Sequence, residues 1–161
     1  MLENLNSRNA VAIVFAVATA TIAGAWIFQF AGLDPCHLCL MERWPYYFAI
    51  PFSLLLLITS RTSPHGSRRG LYVLSLVMLG SAIFGAYHAG VEWKWWAGPD
   101  TCSGAISGSL PDLTKPVIMC DEAAIRILGL SLAGWNFVIS IVLAAIALAG
   151  ARHHGSSSVS Q

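Results

Sequence analysis

The chain has 161 residues, of which 56% are hydrophobic and only 11% are charged, and its formal net charge is +1. Soluble domains carry about 25% charged residues, so this composition indicates a protein that is embedded in a membrane. The small net charge and the lack of a glycine-rich phosphate loop in the sequence exclude nucleic-acid and nucleotide binding.

Four charge-free segments follow one another along the chain, at residues 9–33, 44–60, 70–91 and 127–151. A helix that crosses a bilayer needs roughly 20 apolar residues, with a range of about 17 to 25. The sequence therefore predicts an all-α membrane protein, a four-transmembrane-helix bundle in a single domain over residues 1–151. The predicted spans lie at about 10–30, 44–60, 71–91 and 127–150, and the serine-rich tail at 152–161 is predicted to be disordered and cytoplasmic.

The sidedness of these spans follows from their charges and cysteines. The side with the termini carries five Arg residues in short segments, against four Lys and Arg residues in longer loops on the other side, which favours cytoplasmic termini. All four cysteines lie in the two loops opposite the termini, at about 31–43 and 92–126. Disulfides persist in the periplasm, so we expect a multi-pass protein of the bacterial inner membrane with two periplasmic loops that each carry a cysteine pair.

The first loop ends on the motif Cys36-His37-Leu38-Cys39, directly before the second predicted span. A disulfide within such a short ring stabilises a fold by only about 2 kcal/mol, whereas the longer ring between Cys102 and Cys120 would give about 3 kcal/mol. The first pair is therefore a poor structural cross-link and a better redox couple.

The surroundings of this motif favour a reactive thiolate. Cys39 is predicted at the start of a helix, where free backbone amides and the helix dipole lower the pKa of a thiol. Arg43 follows four residues later, on the same helical face. We predict that Arg43 stabilises the thiolate and binds the headgroup of an electron acceptor. An alternative, in which Arg43 is only an interfacial anchor, stays open at this point.

The motif, the four spans and the second cysteine-bearing loop together resemble the disulfide bond formation protein B (DsbB) family. The resemblance covers the chain from about Leu5 to Ala151. It includes Pro35-Cys36-His37-Leu38-Cys39-Leu40-Met41-Glu42-Arg43, Thr101-Cys102-Ser103, Cys120-Asp121-Glu122 and Leu128-Gly129-Leu130 leading to Trp135. The resemblance implies a quinone-dependent thiol:disulfide oxidoreductase, which reoxidises a periplasmic thioredoxin-fold dithiol oxidase (DsbA-like) and passes the electrons to ubiquinone or menaquinone in the membrane.

The resemblance also implies a role for each cysteine. Cys102 and Cys120 would form the disulfide that the reduced partner attacks, and Cys102 would form the mixed disulfide. Electrons would then pass between the loops through Cys120 and Cys36, and leave from Cys39 to a quinone held near Arg43. Each transfer is an attack of a thiolate on a disulfide sulfur, so the two loops must approach one another.

His88 and Glu92 lie one helical turn apart near the periplasmic end of the third predicted span. Reduction of a quinone to a quinol consumes two protons, so this pair is a candidate quinone or proton site. The alternative is a polar pair at the membrane interface without a chemical role, and the sequence leaves both open.

Three other functions fit parts of the pattern. The two cysteine pairs would serve as static disulfides in a non-enzymatic membrane protein. A zinc site could use Cys36 and Cys39 with one or two of Cys102, Cys120 and His88, although an oxidising compartment disfavours free thiolates, and no metal is predicted. Vitamin-K-epoxide-reductase-like proteins also combine a helical bundle, a CxxC motif and a quinone, but their CxxC lies late in the bundle.

Overall fold

The structure is a computed structural model, and it describes residues 6–60, 62–99 and 120–152. Its elements, in chain order, are α1 (Ser7–Phe30), α2 (His37–Glu42), α3 (Trp44–Thr59), α4 (Pro64–Glu92), β1 (Arg126–Ile127), β2 (Leu130–Ser131) and α5 (Leu132–Arg152). Cys102 and most of the second predicted loop lie outside the described residues.

The helix ends follow from local sequence. The side chain of Asn6 caps α1 by accepting a hydrogen bond from the amide of Asn9, and Ser63 caps α4 through the amide of Gly66. Between α2 and α3 the helix is interrupted at Arg43, and Pro45 stands at the start of α3. Because proline has no N–H, the hydrogen-bond ladder of α2 cannot continue through this position. The short α2 is therefore a separate element.

Three helices are long and apolar enough to cross a membrane, namely Ser7–Phe30, His65–Glu92 and Leu132–Arg152 among the described residues. The predicted second span coincides with α3, which has 16 residues. At 1.5 Å per residue it is about 24 Å long, which is less than the roughly 30 Å of a hydrocarbon core. The structure thus gives an all-helical, multi-pass membrane protein with three long apolar helices and one shorter helix.

The helix α5 begins at Leu132, later than the start at about residue 127 that the fourth charge-free segment predicted. Residues 126–131 form a two-stranded antiparallel hairpin, in which Arg126 pairs with Ser131 and Ile127 with Leu130. Leu128 and Gly129, at its tip, have φ angles of 52° and 86°. Two consecutive positive φ values are typical of the tight turn of a hairpin. Lack of charge predicted an apolar environment here, but the turn at Leu128 and Gly129 excludes a helix before Leu132.

The long helices pack through small residues and present apolar side chains outward. α4 packs along α5, and α3 lies against both α1 and α4. A Cβ atom on Gly150 would clash with the side chain of Ala10, so the close approach of α1 and α5 depends on that glycine. Many large apolar side chains on the outer faces are exposed, as suits contact with lipid: Phe30, Ile58, Leu76, Ile83 and Val142.

Three tryptophans indicate where this bundle meets the membrane surface. Trp93, Trp95 and Trp96 are exposed directly after α4 and contact one another edge to face. Tryptophan is enriched at membrane interfaces. The cysteine motif lies at the same end of the bundle, because α2 packs against α4.

Candidate redox site

The two cysteines of the motif lie at the start of α2. Cys36 is the N-cap residue, and its sulfur accepts a hydrogen bond from the backbone amide of Cys39 at 3.2 Å. The two sulfurs lie 2.7 Å apart, and both cysteines are free thiols. Cys36 is buried, with 6% of its surface exposed, whereas Cys39 is partly exposed. The motif thus presents a dithiol with an inner and an outer sulfur.

The pKa values of these thiols diverge. The hydrogen bond with the Cys39 side chain, aided by His88 and by the Cys39 amide, outweighs burial and lowers the pKa of Cys36 to about 4. The pKa of Cys39 is raised, first by its hydrogen bond with Cys36 and then by burial. The sequence predicted the lowered pKa at Cys39. The helix begins at His37, so the capping position with its free amides belongs to Cys36, and the negative charge lies there.

A buried histidine connects the motif to α4. The Nε2 atom of His88 lies 3.6 Å from the sulfur of Cys36, and its Nδ1 atom lies 2.7 Å from Oε1 of Glu42. Only 1% of the His88 surface is exposed, and Glu42 is buried as well. Burial raises the pKa of Glu42, although its hydrogen bond with His88 lowers it in part. Cys36, His88 and Glu42 therefore form a continuous row of contacts.

The predicted pair of His88 and Glu92 is close in space, with Nε2 of His88 4.0 Å from Oε1 of Glu92. Both side chains are buried at the end of α4, which an interfacial pair facing water would not be. Glu42, the stronger partner of His88, was missed by the sequence reasoning. Its only signal is its place one turn after Cys39, and nothing in the chain relates it to a histidine on another helix.

Arg43 lies at the junction of α2 and α3 and is buried, with 9% of its surface exposed. Its Nη1 atom donates a hydrogen bond to Oε1 of Gln29 at 2.7 Å, and its guanidinium carbon lies 5.9 Å from the ring centroid of Trp26. The predicted shared helical face of Cys39 and Arg43 is interrupted at Arg43 itself. Both residues nevertheless line one cavity. Two contacts from α1 fix the guanidinium at its wall.

This cavity has a volume of about 360 Å³, within the roughly 300–1,000 Å³ of small-molecule sites. Its walls come mainly from α1, α2, α3 and α5 and are mostly apolar, with a few polar side chains among them. The apolar part includes Ile22, Ala25, Phe28, Leu132, Trp135 and Ile139. Cys39, Glu42 and Arg43 also line the cavity. The donor set suits an apolar ring compound with an oxygen that accepts a hydrogen bond from the guanidinium.

The second predicted cysteine pair is represented by Cys120. This residue is disulfide-bonded and 1% exposed. It belongs to one buried cluster with Cys36, Leu38 and Val91, against which Cys39 also packs. The described part of the second loop thus reaches the CxxC motif.

The same residues bear on the zinc alternative. The ligand atoms of Cys36, Cys39 and His88 all lie within 4.8 Å of one another. A structural zinc site uses four such donors, so the described residues could supply three.

Comparison with known proteins agrees with this arrangement. A family model described as Disulfide bond formation protein DsbB matches residues 7–150. A Disulfide bond formation protein B of Albidiferax ferrireducens is 31% identical over 78% of this chain and 76% of its own length. One from an Azoarcus species is 28% identical over 91% of this chain and 95% of its own length. A Rickettsia prowazekii protein named only as uncharacterised is 30% identical over 81% of this chain and 76% of its own length.

No solved structure gives a significant match. The family model covers nearly the whole described chain, including the CxxC motif, the buried histidine and the long helices except for the last two residues of α5. The chain therefore belongs to the disulfide bond formation protein B (DsbB) family and is a membrane-embedded disulfide oxidoreductase.

Proposed function

We propose that this chain is a quinone-dependent thiol oxidase, which takes electrons from a periplasmic DsbA-like dithiol protein and delivers them to a membrane quinone. The observation that carries the proposal is the placement of the two sulfurs. Cys39 and Arg43 line one apolar cavity, while the sulfur of Cys36 lies 2.7 Å behind that of Cys39 and shares a buried cluster with Cys120. One sulfur faces an acceptor site and the other faces the second loop.

The cavity fits a quinone headgroup by its chemistry. Apolar side chains of α1 and α5 would contact the ring, and the Arg43 guanidinium would donate to a carbonyl oxygen. A bound quinone supplies an acceptor for two electrons and two protons. The chain's own part is to exclude water, to orient the ring and to hold the Cys39 sulfur at the cavity wall. Ubiquinone and menaquinone both have such a carbonyl-bearing ring.

The order of exchange is proposed from the family. A partner thiolate attacks the Cys102–Cys120 disulfide at Cys102, and the released Cys120 thiolate attacks Cys36 of the oxidised CxxC pair. Cys39 is then released as a thiolate at the cavity. The burial of Cys120 beside Cys36 supports this order, because an attacking sulfur must reach its target directly.

The proposed topology has four membrane spans, with α3 as the second, both termini in the cytoplasm and both cysteine loops in the periplasm of a bacterial inner membrane. Exposed tryptophans at the cysteine end of α4 support an interface at that level. Tilting of neighbouring helices or local thinning of the bilayer accommodates a short span such as α3.

The test is quinone reduction by the purified full-length chain with a reduced thioredoxin-fold dithiol protein, followed by quinone absorbance. We expect turnover with the unsubstituted protein and none with the Cys39→Ser variant, when the two proteins are equally abundant and equally stable. If the protein were a non-enzymatic membrane protein whose two disulfides are only structural, the unsubstituted protein would not reduce quinone, and Cys39→Ser would mainly lower stability. That result would overturn the proposal.

A further inference from the structure

His88 is the only buried histidine among the described residues, since His37 and His65 are both exposed. It also has polar partners on both ring nitrogens, and both partners are themselves titratable groups. These partners are the sulfur of Cys36, the N-cap residue of the short helix α2, and the carboxylate of Glu42, the last residue of that helix.

We infer that His88 is the acid–base residue of Cys36, and that Glu42 is a positioning residue that holds the imidazole and leads the thiol proton to the wall of the cavity. This inference rests on the proposed function, because it concerns how a proton leaves the dithiol during oxidation. It gives α4 a chemical role beside its structural one.

The geometry is that of an activated nucleophile. Enzymes that use a cysteine or serine nucleophile place a base within hydrogen-bond reach and orient that base with a third group. Here the sulfur lies 3.6 Å from Nε2 of His88, and Nδ1 of the same ring lies 2.7 Å from Oε1 of Glu42. The carboxylate thus fixes the ring so that Nε2 points at the sulfur.

Burial makes such a base necessary. Cys36 is 6% exposed and His88 is 1% exposed, so bulk water has little access to the thiol proton. The titratable groups that face the ring are Cys36, Cys39 and Glu42 from α2, and Glu92 from its own helix.

The proton and electron count is consistent with this role. Oxidation of the pair breaks the S–H bond of Cys39, forms the Cys36–Cys39 bond and passes two electrons to the quinone acceptor, together with the Cys39 proton and the proton that the Cys36 thiolate has already given up. We assign the Cys36 proton to Nε2 of His88, while Nδ1 faces Glu42. Glu42 contacts the ring and also lines the cavity, so it connects the buried thiol to the place where a quinone takes up protons.

The first experiment measures Cys36 without quinone or partner. In a Cys102→Ser/Cys120→Ser background, thiolate absorbance of the reduced full-length protein is titrated against pH. The background protein should lose its thiolate at about pH 4, which is the pKa of Cys36 in the structure. His88→Gln should raise this midpoint by about one pH unit or more. His65→Gln, an exposed histidine of the same helix, is the matched control and should leave it unchanged.

The second experiment measures the pH–rate profile of quinone reduction in the protein with all four cysteines. His88→Gln should lower the rate by about 100-fold or more. Glu42→Gln, which keeps the shape and one acceptor oxygen, should give a smaller loss and a displaced profile. The exposed Glu122→Gln is its control. Glu42→Gln is the milder change, so its pH–rate profile tests the acid–base role of His88 even if His88→Gln does not fold.

The outcomes separate the inference from the proposed function. An unchanged thiolate midpoint in folded His88→Gln, or an unchanged pH–rate profile in folded Glu42→Gln, overturns the inference. A shifted midpoint in a protein that never reduces quinone supports the role of His88 at Cys36 and overturns the proposed function instead.

Discussion

Replacement of Arg43 tests whether the cavity beside Cys39 binds the electron acceptor. Arg43 is 9% exposed, and its guanidinium donates to Gln29 at 2.7 Å and lies 5.9 Å from the ring centroid of Trp26. A planar group with five donors that is held in this way keeps N–H groups for a ligand after it has bonded to Gln29. Its position at the cavity wall therefore predicts a direct contact with a quinone carbonyl.

The expected magnitude follows from that contact. A hydrogen bond from a charged donor contributes about 1.5–3 kcal/mol, and about 1.4 kcal/mol corresponds to a tenfold change in affinity. Arg43→Ala should therefore raise the KM for quinone by about 10-fold to 150-fold. Arg43→Lys keeps the charge but loses the planar fork, so its increase should be smaller. Gln29→Leu removes the acceptor that orients the guanidinium, so its KM for quinone should lie between those of the wild type and Arg43→Ala.

The assay is quinone reduction at varied quinone concentration with saturating reduced partner, together with the rate of thiol exchange between the partner and the protein. Exchange should change little, because Arg43 faces the acceptor cavity. Arg69→Ala, at an exposed position near the other end of α4, is the control for loss of an arginine. If Arg43→Ala protein at normal abundance keeps the wild-type KM and kcat, Arg43 is a membrane anchor and its assignment to the acceptor is wrong.

Other predictions concern the loops and the metal alternative. After reduction, a membrane-impermeant thiol reagent should label the cysteines in intact spheroplasts, and labelling only after lysis would contradict the periplasmic placement. Cys102→Ser should prevent capture of the partner, whereas Cys120→Ser should trap it as a mixed disulfide on a non-reducing gel. A partner found attached to Cys120 would reverse these two roles. Protein purified in reduced form with added zinc should contain it only substoichiometrically, and one tightly held zinc per chain would favour the metal site over the redox pair.

Much of the bundle could be predicted from the sequence, because helices in lipid must be long and apolar, and such helices show as long runs of residues without charge. The segment predicted as the second span, residues 44–60, forms the helix α3, Trp44–Thr59, although α3 is shorter than the three helices that are long enough to cross a membrane. The start of α5 could not be placed in this way. Residues 127–131 lack charge, as a span does, but the positive φ angles at Leu128 and Gly129 are a conformational property that hydropathy does not report.

The site divides in the same manner. The CxxC motif and Arg43 are local patterns, so the sequence alone could single them out as candidate site residues. The contact of His88 with Cys36 and Glu42 joins α4 to α2, and a single sequence holds no signal for such a tertiary pair. The assignment of the lower pKa to Cys39 was wrong for a related reason. It depended on which residue caps the helix, and a shift of a single turn moves the free amides from one cysteine to the other.

The short helix α2 explains how two adjacent cysteines can face different partners. Cys36 stands outside the first turn as the N-cap, and its sulfur is directed back at the amide of Cys39 and at His88 on α4. Cys39 lies within the first turn and borders the cavity. α2 ends at Glu42 and Pro45 stands at the start of α3, so α2 is a separate short element, and it contacts both α3 and α4. A continuous helix through Arg43 would couple the two directions. The break therefore lets one sulfur remain in the buried cluster with Cys120 while the other stays at the acceptor cavity, which a relay between a protein thiol and a membrane quinone requires.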